Sequence, residues 1–307
     1  MRNIRGVFNM MNRAQKADLA LLLVTIFWGA GFPVTKFALQ TIPPLYHIGL
    51  RFLIAAVLLS IIFYKKMFKI DKSILKPASA MAALLFLTYA LQTVGLLYTT
   101  ASKSAFYSGL AVLFVPMLSF VFYKSKINVN TLISITLAFI GLFLLSFSGN
   151  VFSFNIGDLM TIMNSVTYAV LLLLTSDYVK EHDPTQLSIV QMYIVSILGF
   201  AAALVFDTWD TPMSLLSFNS LMFSAVLCTA FAFWMQATAQ KFTSASHVAL
   251  IFTMEPVFGA FTSWLLLGER LGFKGFIGGL FIISAMLIAE FDFTALKVKF
   301  RNLVEPK

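Results

Sequence analysis

The sequence predicts an all-α polytopic membrane protein: ten transmembrane helices, arranged as two inverted five-helix repeats around a central cavity. Three observations carry this expectation. Apolar runs of about twenty residues recur from end to end, in a chain that is 59% apolar and only 11% charged; soluble domains hold about 25% charged residues. Basic residues sit at the ends of these runs and are shared unequally between two sides. Residues also recur across the two halves at one offset of 140 positions.

The ten runs fall near 19–37, 45–64, 77–98, 104–123, 131–147, 158–178, 186–206, 218–239, 246–267 and 271–289. The connections are short, so no soluble domain fits between them. The first run follows a basic start and lacks a small-residue cleavage site, so it reads as a retained span. With the N-terminus inside, the outer side keeps only Lys36, Arg51, Lys103, Arg270 and Lys274 of the 22 basic residues. That places the basic tails 1–16 and 291–307 in the cytoplasm, for a protein of a bacterial cytoplasmic (inner) membrane. Asp18-Leu19 match Asp158-Leu159, Pro44 matches Pro184, Ser104-Ala105 match Ser244-Ala245, and Pro116 matches Pro256. The repeats are then 17–149 and 157–290. Five is an odd number of crossings, so the second copy runs upside down, as in transporters built from inverted repeats.

Other classes fit poorly. A barrel needs short alternating strands, and these runs are continuous. The net charge of +9 belongs to the run ends and serves orientation, so no nucleic-acid partner is expected. Cys228 alone makes no disulfide within one chain and reads as a small core residue. His47, His182 and His247 are scattered, and no H-E-x-x-H, G-x-S-x-G or Walker pattern occurs. Asp177, Glu181 and Asp183 beside His182 read as a charged turn, not a metal site. No enzyme activity, cofactor or metal is expected.

The stretch FTSASHVALIFTMEPVFGAFTSWLLLG, residues 242–268, holds one acid, Glu255, thirteen residues from either end. A carboxylate at mid-span is costly unless partnered. Pro256 beside it loosens the helix. FWGAGFPVTKFAL and PPLYHIGLRFLIAAVLL in the first half, with EPVFGAFTSWLLLGE in the second, resemble the EamA-type drug/metabolite transporters. The resemblance covers about 17–290 and preserves the order of the motifs. One departure is local: FYKSKIN follows the first-half proline where the second half reads LLLGERLG, so the turn of Glu269 and Arg270 has no counterpart. The resemblance implies a central cavity between two five-helix halves and export or import of small metabolites, notably amino acids, by alternating access.

Candidate residues follow. Glu255 is either a proton-coupling group or a structural carboxylate, the second being favoured. The outer charges Lys36 and Arg51 read as gates or anchors, with snorkelling to the interface the preferred reading of Arg51. Trp28 with Tyr168, and Tyr107 with His247, are matched by the repeat offset and can face each other across a cavity. Tyr89, Gln92, Asn164, Trp234 and Gln236 add polar or amphipathic groups where lipid contact calls for aliphatic ones. Pro116 and Pro256 are the expected hinges. Gly275 and Gly279 suggest close packing within a monomer or across a homodimer. The function expected is secondary transport of a small metabolite, an amino acid with export favoured, through the lipid bilayer with a coupling proton. The alternatives are import of a vitamin or nucleoside-like metabolite, or a membrane-embedded enzyme or lipid-handling protein.

Overall fold

The computed structural model describes residues 12–125, 129–146, 154–268 and 272–290. The tails 1–11 and 291–307, with Glu269 and Arg270, lie outside the described residues. Every regular element among the described residues is helical: α1 Arg13–Ala38, α2 Pro44–Ile62, α3 Tyr64–Met67, α4 Leu75–Tyr98, α5 Ala101–Gly109, α6 Ala111–Tyr123, α7 Val129–Ser146, α8 Ile156–Glu181, α9 Pro184–Phe206, α10 Leu215–Ala225, α11 Ala232–Ala239, α12 Ala245–Ile251, α13 Met254–Leu267 and α14 Phe273–Glu290. A π-helical turn, Val226–Phe231, joins α10 to α11. Eight helical runs are long and apolar enough to cross a membrane, whereas Val129–Leu144 and Phe273–Ala285 are shorter apolar stretches. Large apolar side chains such as Phe120, Phe122, Leu204, Phe206 and Phe276 are exposed, which suits contact with lipid and not with water.

The helix starts are set by local chemistry. Asn12 with Gln15 and Asn155 with Asp158 form capping boxes at α1 and α8, satisfying amides that have no partner within the helix. Asp183 caps α9 and Pro184 takes its first position, where a missing N–H costs nothing. The start of α2 carries no such side chain of its own. Asp207, at the far end of α9, accepts from the Leu45 amide at 2.7 Å and the Tyr46 amide at 3.3 Å. At the opposite end of the same helix pair, Lys66 reaches Asp183 at 2.8 Å. Burial pushes the Asp183 carboxyl up, but Lys66 and the Gln186 and Thr185 amides outweigh that and hold it below the usual carboxylate range. Its contribution to stability is thus present above the unfolded carboxylate value and is lost as pH falls through the lowered one.

Four helix pairs, α7 with α14, α4 with α8, α2 with α9 and α1 with α13, make the main contacts of the fold. Each crosses at glycine. A Cβ at Gly157 would lie 2.5 Å from the Gly95 carbonyl oxygen, and one at Gly199 would lie 2.8 Å from the Gly49 nitrogen. One at Gly29 would meet the Gly259 nitrogen and one at Gly141 the Gly278 oxygen, both at 2.7 Å. Backbone therefore touches backbone, the arrangement that helices in lipid use in place of a hydrophobic driving force. The expected Gly275–Gly279 motif is displaced from this role at Gly279, which meets only Val257, at 4.0 Å.

Two expectations about the interrupted helices need correction. The fourth run breaks at Leu110, between α5 and α6, while Pro116 sits inside continuous α6. In the ninth run the break does precede its proline, at Phe252–Thr253 ahead of α13. The match of Ser104 to Ser244 also fails as an equivalence. Ser244 caps α12, but the cap of α5 is Thr100, and Ser104 lies one turn inside, its hydroxyl without a partner among the described residues. The two starts differ by about one helical turn from the offset read in the sequence.

Because the Gly49–Gly199 crossing has backbone on both sides, Gly199→Ala should destabilise the protein by about 1–3 kcal/mol. Gly279→Ala, with open space around it, should not. Thermal unfolding of the two variants in the same detergent checks this, and equal melting temperatures would refute the account of the crossing.

Candidate functional site

Between α1, α2, α4, α8 and the interrupted helices lies a narrow cleft with about 820 Å³ of empty space, part of it open to the outside. Its shape begins with the π turn. Thr229 Oγ1 donates to the Ser224 carbonyl five residues back, at 2.8 Å, and the Cys228 carbonyl of the same turn accepts side-chain hydrogen bonds from two other helices. Trp28 Nε1 donates to that carbonyl at 2.8 Å and Arg51 Nη2 at 3.2 Å. Arg51 Nε donates to Thr229 Oγ1, and Nη2 also reaches the Tyr89 hydroxyl at 3.2 Å. The guanidinium lies over the Tyr89 ring, 4.6 Å from its centroid. Three elements thus meet at one carbonyl and its neighbouring hydroxyl, and Tyr89 of α4 joins them through Arg51.

With the Trp28 N–H fixed, its ring becomes the centre of an aromatic wall. Phe252 lies 4.9 Å away, Phe233 5.2 Å and Tyr168 5.9 Å between centroids. The facing wall is polar. Asn164 donates to the Thr88 carbonyl at 2.9 Å, Ser108 to Asn164 at 3.2 Å, and Gln92 to Ser108 at 3.2 Å. Glu255 completes the lining. It occupies the first turn of α13, where the helix dipole favours a negative charge at mid-chain depth. Among the described residues no hydrogen bond or ion pair reaches its carboxylate.

The cleft has two unlike ends. Toward the end that carries Lys65, Lys66 and Lys69, it is sealed. Tyr168 donates to Gln236 at 3.2 Å, Gln236 to Gln240 at 3.0 Å, and Gln240 to the Leu172 carbonyl at 3.1 Å and to Ser176 at 2.9 Å. Toward the other end the lining continues to Thr35 and Leu96, near the ends of α1 and α4. Lys36 donates to the Thr99 carbonyl there, at 3.1 Å. Asp158, fully buried, accepts from Thr99 at 2.5 Å and pairs with Lys103 at 3.4 Å.

Of the residues singled out in the sequence, Trp28, Tyr89, Gln92, Asn164 and Tyr168 share the cleft lining with Arg51 and Glu255. Tyr107, Trp234, Gln236 and His247 do not. Tyr107 packs against Phe106 in a separate apolar cluster with Leu142. Trp234 turns to Phe63, at 5.0 Å, and to Thr185. Gln236 lies behind Tyr168 in the seal. His247 meets Asp18 at 3.1 Å, beside a second cavity. The pairing of Tyr107 with His247 fails because the two helix starts are not in the register assumed. Arg51 does not snorkel: it is 5% exposed and held in the interior. Thr229, the Cys228 carbonyl, Phe233, Phe252, Thr88 and Ser108 were not foreseen. Among the described residues, no three His, Cys, Asp or Glu side chains come together in a way that would hold a metal ion.

Thr229→Val keeps the shape of the side chain but strips two hydrogen bonds from the π turn, leaving the Arg51 Nε–H without its acceptor. It should cost about 1–3 kcal/mol, whereas Thr229→Ser, which retains the hydroxyl, should cost clearly less. Thermal unfolding of both variants in detergent tests this, and equal losses would show that the hydroxyl does not hold the turn.

The family described as EamA-like transporters matches this chain twice, over residues 15–147 and 155–290. An uncharacterized transporter of Archaeoglobus fulgidus is 33% identical over 275 residues, covering 89% of this chain and 85% of its own. The uncharacterized transporter YoaV of Bacillus subtilis is 25% identical, over 92% of this chain and 99% of its own. An S-adenosylmethionine/S-adenosylhomocysteine transporter of Chlamydia muridarum is 23% identical, over 82% and 85%. One crystal structure superposes with a TM-score of 0.78 over 92% of this chain and 99% of that one, at 13% identity, a likeness of fold alone.

Proposed function

This chain belongs to the EamA-like transporter family, and from that premise we propose that it is a secondary transporter moving an amino acid, in the export direction, by alternating access through the cleft. The observation that carries this reading is the cleft itself. It is lined by aromatic rings and a few hydrogen-bonding groups, sealed at one end and extended toward the other. We propose ten spans in two inverted halves, 17–149 and 157–290, with both termini cytoplasmic in a bacterial inner membrane. The packing of α2 on α9 and of α7 on α14 supports the inversion. These pair the second proposed span with the seventh and the fifth with the tenth, each with its own repeat mate, as elements beside a two-fold axis between the halves would pack. The breaks at Leu110 and Phe252–Thr253 supply the hinges, the second of them beside Pro256.

Glu255 is proposed as the group that exchanges a proton during transport. Support comes from its place on the cleft and from the lack of any hydrogen bond to its carboxylate among the described residues, which a purely structural acid would be expected to have. A second reading keeps the fold and changes the cargo: an aromatic wall of this kind also stacks a nucleoside-like metabolite. The adenosyl-containing cargo in the name of the Chlamydia relative favours it.

Counterflow in proteoliposomes tests the cargo. A radiolabelled amino acid should exchange against internal unlabelled amino acid, and Trp28→Ala with Tyr168→Ala should lower that flux at least tenfold. Exchange of nucleosides and of no amino acid would replace the first reading by the second. Glu255→Gln should abolish accumulation driven by a pH gradient while counterflow persists. Accumulation unchanged from wild type would end the coupling role.

A further inference from the structure

Resting on the transport reading and narrowing it, we infer that the cleft recognises a zwitterion through two separated poles: Arg51 Nη1 receives the anionic group of the ligand, and the Glu255 carboxylate receives its cationic group.

The donors of Arg51 are unequally spent. Nε serves Thr229, and Nη2 serves both Tyr89 and the Cys228 carbonyl. Nη1 makes no hydrogen bond among the described residues, although the side chain is 5% exposed. Nor is Nη1 sealed in protein. The ring nitrogens of His47, one turn earlier on α2, are fully enclosed and unpartnered, whereas Arg51 borders the cleft. An Nη1 amine with two free N–H groups, held in place by the other two nitrogens, is positioned to donate to an anionic oxygen with the full charge of the guanidinium behind it. Holding the rest of the side chain in the π-turn bracket fixes where that amine points.

Glu255 presents the opposite case. It faces the same cleft, on α13, with no donor among the described residues. The Trp28, Phe252 and Tyr168 rings that line the cleft offer π faces, which attract a cation as the carboxylate does. Glu255 and Arg51 form no ion pair with each other. A fixed positive charge and an ionisable acid therefore share one apolar space without pairing, an arrangement that a single ligand bearing both complementary charges would complete. A ligand with an anion alone would leave Glu255 unneutralised beside it. A ligand with a cation alone would meet the Arg51 charge. Either lacks half of what the cleft supplies, and a site that hydrogen-bonds a group discriminates strongly against analogues without it.

The test uses the full chain in detergent and the twenty amino acids, each with its matched amine, which lacks the carboxylate, and its matched acid, which lacks the amine. Phenylalanine, phenethylamine and 3-phenylpropionate are one such set. Ligand-induced stabilisation against heat, titrated to saturation, gives apparent affinities. The expected result is that the best zwitterion binds about tenfold or more tightly than either of its one-pole analogues. In Glu255→Gln, the gap between that zwitterion and its acid analogue should close to within about threefold, while the gap to the amine analogue remains. The wild-type series needs no variant, so misfolding of a substituted protein cannot hide the answer. The inference is overturned if a one-pole analogue binds as well as its parent, if no zwitterion binds, or if Glu255→Gln leaves the discrimination against the acid analogue unchanged. Two-pole binding without counterflow would remove the transport reading alone. Counterflow with flat discrimination would remove the two poles and leave transport standing.

Discussion

An arginine at the depth of an apolar bundle is affordable only if its hydrogen bonds are satisfied there, and the manner of that satisfaction shapes this molecule. Arg51 needs acceptors, and an apolar helix face would offer few. The π turn of Val226–Phe231 supplies them by presenting the Cys228 carbonyl and the Thr229 hydroxyl to the guanidinium. The dependence runs both ways. A distorted turn buried in protein needs donors of its own, and Arg51 with Trp28 provides two to the Cys228 carbonyl. Charge and bulge account for each other.

The rest of the cleft inherits its geometry from that bracket. Trp28 is held by its N–H, so its ring is a fixed surface on which Phe252, Phe233 and Tyr168 pack. Tyr89 is held by its hydroxyl, with Phe52 at 5.2 Å against its ring. These residues come from continuous α1, α2, α4 and α8 and from the two interrupted runs. Glu255, Ser108 and Gly109 instead sit beside the breaks of the fourth and ninth runs. Trp28 and Tyr89 are thus pinned to the π-turn bracket by hydrogen bonds, whereas Phe252, Glu255, Ser108 and Gly109 are carried on helices whose axis can change at a break.

What the sequence revealed and what it concealed divide along the same line. Membrane embedding was legible from run length and composition, and Trp28, Tyr89, Gln92, Asn164, Tyr168 and Glu255 were legible as polar or amphipathic residues where lipid contact would select aliphatic ones. The π turn was not. VLCTAF contains no Gly or Pro, and its cause, a Thr hydroxyl reaching a carbonyl five residues back, resembles ordinary helical back-bonding on paper. The interior role of Arg51 was hidden with it, because a lone Arg near a run end more often snorkels. The glycine crossings were invisible for another reason. Gly49 and Gly199, or Gly95 and Gly157, sit on different helices, and only the fold shows that they face each other. The false pairing of Tyr107 with His247 came from extending one offset through a helix whose start had shifted by about a turn.

The chemistry at the two ends of the cleft bears on how such a molecule would alternate. The sealed end is closed by Gln236, Gln240, Ser176 and Tyr168, neutral groups whose hydrogen bonds exchange for water at small net cost. The other end is framed by Asp158 and Lys103, with the acid fully buried, and separating a buried pair leaves a charge without compensation. Backbone contact at Gly95–Gly157 lies in the same helix pair as Asp158, and no side chains intervene there to rearrange. Under the proposed alternation the cheaper movement is therefore at the amide seal, with the charged frame and its glycine crossing serving as the part that stays together. The two ends of the cleft would then not be equivalent in energy.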